Sequence, residues 1–176
     1  MVKCLVLGLA GSGKSSLVNE LCNRGRSAFD LDQMANLSGW INKQGIACEY
    51  SNSPEWRANH DFVWNIKAIT EFLNVCPKNQ IIYMAGIAAN SLELVQLGIF
   101  DAVAFLDVSP KTIFTRLKSP SRHTPFPFDC TPEHESWING LVPQFRRDMV
   151  NFGAVRLNAE QDIKQIVDDL ISCCEN

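Results

Sequence analysis

Short apolar runs alternate with stretches of helical periodicity along most of the chain. Apolar runs of only a few residues, bounded by turn-forming residues, predict strands rather than helices. Five strands are predicted in this way, at residues 3–8, 27–32, 80–86, 101–108 and 154–159. Strands that alternate with helices are typical of an α/β protein with a mostly parallel sheet.

Helical periodicity fills most of the segments between these strands. The predicted helices cover residues 14–25, 59–76, 90–98, 109–119, 137–153 and 160–173. Ser109 followed by Pro110 is a strong helix start. Gly140 and Pro143 predict a disturbance in the fifth of these helices. Five strands with crossover helices fit a single domain over residues 1–176.

Two segments interrupt this alternation. Residues 33–56 carry scattered Gly, Ser and Pro, and they predict irregular structure with at most a short helix. Residues 119–135 are rich in proline and predict a loop or lid. Both segments are therefore insertions into an otherwise regular α/β pattern.

The sequence GLAGSGKSS lies between the first predicted strand and the first predicted helix. It matches Gly-x-x-x-x-Gly-Lys-Ser, the phosphate-binding loop whose backbone N–H groups converge on the β- and γ-phosphates of a nucleotide. Lys14 supplies a cation there, and Ser15 offers its hydroxyl to Mg²⁺. The predicted nucleotide-binding residues are Gly8, Leu9, Ala10, Gly11, Ser12, Gly13, Lys14, Ser15 and Ser16.

A phosphate loop occurs in several classes of nucleotide-binding protein. A GTPase would need an Asn-Lys-x-Asp segment, which the sequence lacks. An AAA-type ATPase needs a longer module and an acidic residue after its third strand, where this chain has Ala85 and Gly86. The chain therefore favours a small-molecule kinase.

With this loop and this order of elements, the chain resembles the nucleoside monophosphate kinase-like group, and shikimate kinase and adenylate kinase in particular, over nearly its whole length. The resemblance implies a three-layer P-loop kinase fold with a five-stranded parallel sheet. It also implies an acceptor-binding insertion at about residues 33–60 and a lid at about residues 119–135. ATP and Mg²⁺ are the implied cofactors, and a small molecule is the implied phosphoryl acceptor.

The acceptor side of the resemblance rests on two motifs. FDLDQ looks like the Asp-x-Asp of shikimate kinase, which implies that Asp30 helps to hold hydrated Mg²⁺ and that Asp32 is a catalytic carboxylate at the acceptor hydroxyl. Arg57 in EWRANH resembles an arginine that grips the acceptor.

The nucleotide side rests on segments nearer the C-terminus. Arg116 resembles the arginine that lies over adenine, and Asn158 lies where such kinases contact the base. The phosphate-loop lysine and Arg122 of the lid are the implied catalytic cations. Arg146 and Arg147 follow the lid, and their role stays open between transition-state cations and a solvated helix face.

The chain departs from both relatives after its third strand. Shikimate kinase has three glycines there and adenylate kinase has Asp-Gly, whereas this chain has Ala85-Gly86-Ile87. The absent triple glycine counts against a shikimate-like acid, and aromatic residues between positions 40 and 56 suit a flat base. The predicted acceptor is therefore a nucleoside or nucleoside monophosphate. A shikimate-like hydroxy acid is one alternative, and a nucleotide-binding regulator or NTPase without an acceptor is another.

Composition narrows the partners further. The chain has 16 Lys and Arg against 19 Asp and Glu, a net charge of −3, so no nucleic-acid binding is predicted. Its longest apolar run, residues 81–89, is far shorter than the roughly 20 residues of a membrane span. Seven cysteines without the spacing of a disulfide framework indicate reduced thiols and a cytoplasmic protein. The sequence leaves the oligomeric state open.

Overall fold

The computed structural model of the chain describes residues 1–51, 53–119 and 131–175. Its strands, in chain order, are β1 Val2–Leu7, β2 Ser27–Asp30, β3 Ser38–Asn42, β4 Ala47–Cys48, β5 His60–Trp64, β6 Ile81–Gly86, β7 Ala102–Asp107 and β8 Val155–Asn158. Its helices are α1 Lys14–Asn23, α2 Pro54–Ala58, α3 Ile66–Val75, α4 Ser91–Gln96, α5 Pro110–Leu117, α6 Pro132–Asn151 and α7 Ile163–Glu175. A single turn of 3₁₀ helix covers Leu31–Gln33.

Five strands form one sheet in the order β2-β6-β1-β7-β8, and every neighbouring pair is parallel. The predicted fold class is confirmed. Parallel strands end at the same edge of a sheet, and in such folds ligands bind in the crevice outside that edge. The last residues of the five strands, in sheet order, are Asp30, Gly86, Leu7, Asp107 and Asn158.

Helices cover both faces of the sheet and complete the three layers. The side chains of β1 alternate between the faces: Cys4 and Val6 belong to one core cluster, and Leu5 and Leu7 belong to the other. The first cluster includes residues of α1, α5 and α7, and the second includes residues of α3 and α4. Burying one large aliphatic side chain contributes about 1.5–3 kcal/mol, so β1 anchors both helical layers.

The prediction of irregular structure for residues 33–56 is wrong where β3 and β4 form. β3, β4 and β5 form a separate antiparallel sheet in the order β4-β3-β5. Trp40 on β3 is paired with Phe62 on β5, a long-range contact that no local pattern reveals. The short helix is present as α2, where the Ser53 hydroxyl accepts a hydrogen bond from the Trp56 N–H at 3.0 Å.

The prediction of a single helix over residues 59–76 is also wrong. The first part of that segment is β5, whose backbone is paired with β3, and α3 begins only at Ile66. Asn65 separates the two, because its side chain accepts a hydrogen bond from the Ala68 N–H at 3.1 Å and caps the helix. Trp64 is a core residue with 2% exposure.

β2 is shorter than predicted. It ends at Asp30, whose side chain accepts a hydrogen bond from the Asp32 N–H at 3.1 Å and starts the 3₁₀ turn. Asp32 therefore lies in the turn and not on the strand. Both aspartates line the same cleft.

α6 is one continuous helix of 20 residues that contains Pro143, so the predicted disturbance does not interrupt it. Its first turn takes up residues 132–135 of the predicted lid. Residues 120–130, the greater part of that predicted lid, lie outside the described residues. The six cysteines within the described ranges are free thiols. Across the same ranges, no helix combines the length and apolar character that crossing a membrane requires.

Gly140→Ala is expected to raise the free energy of unfolding by about 0.5–1 kcal/mol, the usual advantage of alanine over glycine inside a helix. A Cβ at Gly140 meets no atom within 4 Å. Gly153→Ala is the matched control: its Cβ also meets open space, but its φ of +71° is left-handed and disfavours any side chain. Chemical denaturation should therefore give shifts of opposite sign. Two shifts of the same sign would contradict this description of α6 and its C-terminus.

Candidate functional site

The phosphate loop joins β1 to α1 and is shaped by its glycines. Gly11 and Gly13 have φ values of +81° and +105°, a conformation that residues with a side chain rarely adopt. A Cβ at Gly8 would lie 2.4 Å from the Ser12 hydroxyl oxygen. α1 begins at Lys14, and the unpaired N–H groups and positive dipole end of a helix start favour an anion at this position.

The Lys14 side chain folds back over the loop and is 9% exposed. Its Nζ donates to the carbonyl oxygens of Gly8 at 2.8 Å and Leu9 at 3.4 Å. The same ammonium lies 3.6 Å from Asp32 Oδ2. The structure therefore holds a cation at the loop and beside a carboxylate.

Asp32 lies in the 3₁₀ turn after β2, with a side chain 22% exposed. Its Oδ1 accepts hydrogen bonds from the Ile87 N–H at 3.0 Å and from the Trp64 indole N–H at 3.3 Å. Burial raises the pKa of the Asp32 carboxyl above its ordinary value, while the Lys14 ammonium and the Ile87 N–H oppose that shift. A carboxylate and an ammonium thus meet at the end of β6.

Ser15, Asp30 and Gln33 form a second polar group beside the loop. Ser15 Oγ donates to Asp30 Oδ2 at 2.7 Å, and Gln33 Nε2 donates to the same oxygen at 2.9 Å. Mg²⁺ prefers oxygen ligands, and with nucleotides it commonly takes one or two from the protein and the rest from phosphate and water. Ser15 and Asp30 fit such an ion. Within the described ranges, no group of three or more His, Cys, Asp or Glu could hold a metal by itself.

Arg116 on α5 joins the phosphate loop to the turn after β8. Its Nη1 donates to the Ser12 carbonyl at 3.0 Å, and its Nη2 donates to the Ala159 carbonyl at 2.9 Å. Asn158 turns its Oδ1 toward the Glu160 N–H at 3.1 Å. Ala159, and not Asn158, is among the residues that line the neighbouring cleft.

Most of these groups line one open cleft of about 1410 Å³, whereas Gly8, Leu9 and Asn158 do not. Pockets for one small ligand commonly measure about 300–1,000 Å³, so this cleft has room for a nucleotide and a second molecule. The predicted site residues that line it are Ala10, Gly11, Ser12, Gly13, Lys14, Ser15, Ser16, Asp30, Asp32, Arg57 and Arg116. Arg122 lies outside the described residues.

The insertion contributes an aromatic wall to this cleft. Trp40, Tyr50 and Phe62 line it beside Arg57. The ring centroid of Trp40 lies 5.5 Å from that of Tyr50, 5.4 Å from that of Phe62 and 5.1 Å from that of Trp56 behind them. Aromatic pairs of this kind contribute about 0.5–1.5 kcal/mol each beyond burial. The wall is therefore preformed.

A second cavity of about 430 Å³ adjoins the cleft, and Ala10 and Ile87 line both. Its walls are mainly apolar and include Leu141 and Phe145 of α6. Among the described residues that line it, Asp148 alone carries a charge. An anionic ligand group would find no cation in that described wall.

The two arginines of α6, Arg146 and Arg147, form hydrogen bonds with other side chains of the protein. Arg146 Nε donates to Asp107 Oδ1 at 2.8 Å, and Arg156 pairs with the other oxygen of the same carboxylate. The Asp107 side chain is 4% exposed, and a buried carboxylate is costly unless it is paired. These arginines therefore stabilise the end of β7. Arg147 donates to Gln144 Oε1 at 2.7 Å.

Comparisons of the sequence with protein-family models and with curated proteins find no match. Solved structures do match. Deoxyadenosine kinase from M. mycoides with bound dATP is 14% identical, with a TM-score of 0.53, over 99% of this chain and 100% of that chain. Shikimate kinase from Aquifex aeolicus is 13% identical, with a TM-score of 0.59, over 99% and 96%. A gluconokinase from Sinorhizobium meliloti is 19% identical, with a TM-score of 0.52, over 99% and 94%.

The chain has the fold of the P-loop small-molecule kinases. At these identities the likeness concerns the fold, and it confirms the expected resemblance in architecture over nearly the whole length. Two features of the site were not predicted: the contact of Trp64 with Asp32 and the place of Phe62 in the cleft wall. The signal available was the alternation of Phe62 and Trp64, which a strand places on one face.

Lys14→Ala is expected to weaken Mg·ATP binding at least about tenfold, the usual effect of removing a charged hydrogen-bond donor, while the fold is retained. Retention is expected because a proton can neutralise Asp32, whose pKa burial already raises. Isothermal calorimetry measures the affinity, and circular dichroism checks the fold. Lys67→Ala is the control, since that side chain is 86% exposed on α3. A folded Lys14→Ala protein with unchanged affinity would contradict the phosphate-loop interpretation.

Proposed function

We propose that this chain is an ATP-dependent phosphotransferase that moves the γ-phosphoryl group of ATP to a nucleoside or nucleoside monophosphate. One observation carries the proposal: the phosphate loop, the pair of Lys14 and Asp32, and Arg57 all line the same cleft. Phosphoryl transfer depends mainly on positioning the two substrates and stabilising charge between them. A cleft with a cation, a carboxylate and an acceptor-binding side chain meets those needs.

The donor half of the cleft consists of the phosphate loop, α1 and Arg116. Backbone N–H groups of the loop would bind the β- and γ-phosphates, and Lys14 Nζ would exchange its carbonyl contacts for phosphate oxygens. Arg116, held at both ends by carbonyl oxygens, would lie over the base. Ser15 and Asp30 would hold Mg²⁺, which when bound neutralises charge on the phosphates.

The reaction with a hydroxyl acceptor follows from the position of Asp32. The acceptor oxygen forms a bond to the γ-phosphorus, and the bond from that phosphorus to the β–γ bridging oxygen breaks to release ADP. The hydroxyl proton passes to Asp32, whose Oδ2 lies beside Lys14. Lys14 stabilises the negative charge of the transferring group. Arg122 stays a predicted further cation.

The acceptor half of the cleft supports a nucleoside or nucleoside monophosphate. Trp40, Tyr50 and Phe62 offer ring surfaces, and stacking of a base on an aromatic side chain contributes about 1–3 kcal/mol. The Arg57 guanidinium is a fork suited to carboxylate or phosphate oxygens, so it does not by itself distinguish the two acceptors. The adjoining apolar cavity, with Asp148 as the charged residue of its described wall, is a poor site for a shikimate-like carboxylate.

An NTPase or nucleotide-binding regulator without an acceptor is the second candidate. It is favoured by the end of β6, where Gly86 and Ile87 stand in place of a carboxylate. However, a Cβ at Gly86 would lie 2.7 Å from Asp32 Oδ1. The carboxylate of Asp32 therefore occupies the space beside the end of β6, which favours the kinase.

The test is a screen of purified protein with Mg·ATP against nucleosides, nucleoside monophosphates and shikimate, following ADP release. A nucleoside or its monophosphate is expected to raise the rate well above hydrolysis. For a hydroxyl acceptor, Asp32→Asn is expected to lower kcat at least about a hundredfold, the usual contribution of a general base, with ATP affinity retained. Asp61→Asn is the matched control, since Asp61 is an exposed carboxylate of the insertion paired with Lys43.

If no acceptor raises the rate above background hydrolysis, the NTPase or regulator proposal takes the place of the kinase. If shikimate alone does so, the acceptor assignment is wrong while the phosphotransferase proposal stands. Normal turnover of a hydroxyl acceptor by Asp32→Asn would remove Asp32 from the mechanism.

A further inference from the structure

Trp64 brings the small antiparallel sheet into contact with the Asp32 carboxylate. The residue ends β5, its side chain is buried, and its indole Nε1 donates to Asp32 Oδ1 at 3.3 Å. β5 belongs to the insertion, whereas Asp32 follows β2 of the main sheet. A single hydrogen bond thus links the two sheets at the candidate reaction centre.

The backbone of β5 is firmly held on the loop after β6. The Trp64 N–H donates to Asn90 Oδ1 at 2.9 Å, and Asn90 Nδ2 donates back to the Trp64 carbonyl at 2.9 Å. The Ala89 N–H donates to the Phe62 carbonyl at 2.8 Å. Three hydrogen bonds therefore fix the position of the backbone that carries the Trp64 side chain.

The end of β6 is shaped to admit both groups. A Cβ at Gly86 would lie 2.6 Å from Trp64 Cζ2 and 2.7 Å from Asp32 Oδ1. Neither a buried ring nor a hydrogen-bonded carboxylate can retreat easily from such a contact. A glycine at this position thus leaves room for the indole and the carboxylate to meet.

The indole distinguishes the two oxygens of Asp32. The Ile87 N–H is shared almost equally, at 3.0 Å from Oδ1 and 3.2 Å from Oδ2. Trp64 Nε1 contacts Oδ1, which leaves Oδ2 toward Lys14 Nζ at 3.6 Å. Ile87 alone would therefore allow the carboxylate to rotate, and the indole selects one orientation.

We propose that Trp64 is a positioning residue that turns Asp32 Oδ2 toward the acceptor and the phosphate loop. The inference rests on the proposed function for its catalytic consequence. Phe62, two residues earlier on the same strand, lines the cleft, and alternate residues of a strand share a face. The strand that contributes to the acceptor wall thereby also orients the carboxylate.

The test removes the indole N–H by two routes. Trp64→Phe deletes it together with part of the ring, and replacement of Trp64 by β-(3-benzothienyl)alanine keeps the bicyclic shape and loses the donor alone. Both are expected to lower kcat roughly tenfold to a hundredfold, the usual effect of losing one hydrogen bond to a charged group. The KM for ATP should change less than about twofold, because the donor does not touch the nucleotide side. Trp137→Phe is the control, since Trp137 is 53% exposed on α6.

A second readout does not depend on turnover. In ¹⁵N-labelled protein, the Ile87 amide resonance is expected to move when the benzothienyl analogue is introduced, because the carboxylate that accepts from it can then rotate. In protein that keeps Trp64, the resonance of its indole N–H is expected to move when Asp32 is replaced by asparagine. If the Ile87 amide resonance does not move, the inference is wrong, whether or not an acceptor is found. If it moves but no acceptor is found, only the proposed function is wrong. An unchanged kcat in the analogue-containing kinase also overturns the inference.

Discussion

The site depends on one partly buried ionic contact, that of Lys14 with Asp32 at 3.6 Å. A carboxylate with 22% exposure is costly unless charge and hydrogen bonds compensate it. The compensation comes from three separate parts of the chain: Lys14 at the start of α1, the Ile87 N–H after β6, and the Trp64 indole at the end of β5. Loss of any one makes the charge of this carboxylate more costly and favours protonated Asp32. The phosphate loop, the main sheet and the insertion are therefore coupled through this carboxylate.

The parallel sheet explains why these groups can meet. β2 and β6 are neighbours and end beside β1, from which the phosphate loop begins. On the other side of β1, β7 and β8 lead to Arg116 and to the turn at Ala159. The strand order thus places Asp30 and Asp32 on one side of the phosphate loop and Arg116 on the other, which is the division between acceptor and nucleotide that the proposed function requires.

The sequence was informative where the determinants are local. The phosphate loop is a contiguous motif, and the five parallel strands are continuous apolar runs, so both could be predicted. The small sheet could not be predicted, because its strands are short and β3 pairs with β5, which lies well apart from it in the sequence. In addition, the apolar positions of β5 also fit a helix that continues into α3. The contact of Trp64 with Asp32 spans 32 residues and depends on that pairing. Its absence from the prediction follows from the missed sheet.

Under the proposed function, acceptor specificity is expected to lie outside the main sheet. Solved structures of the same fold are named for deoxyadenosine, shikimate and gluconate, so the phosphate loop and the parallel sheet do not by themselves define an acceptor. In this chain the part of the cleft outside the main sheet comes from β3, β5 and α2, with Trp40, Phe62 and Arg57. Trp64 joins this surface to the Asp32 carboxylate. Under the proposed function, side chains of the small sheet can change to suit another acceptor only if β5 keeps the position that brings Trp64 to Asp32.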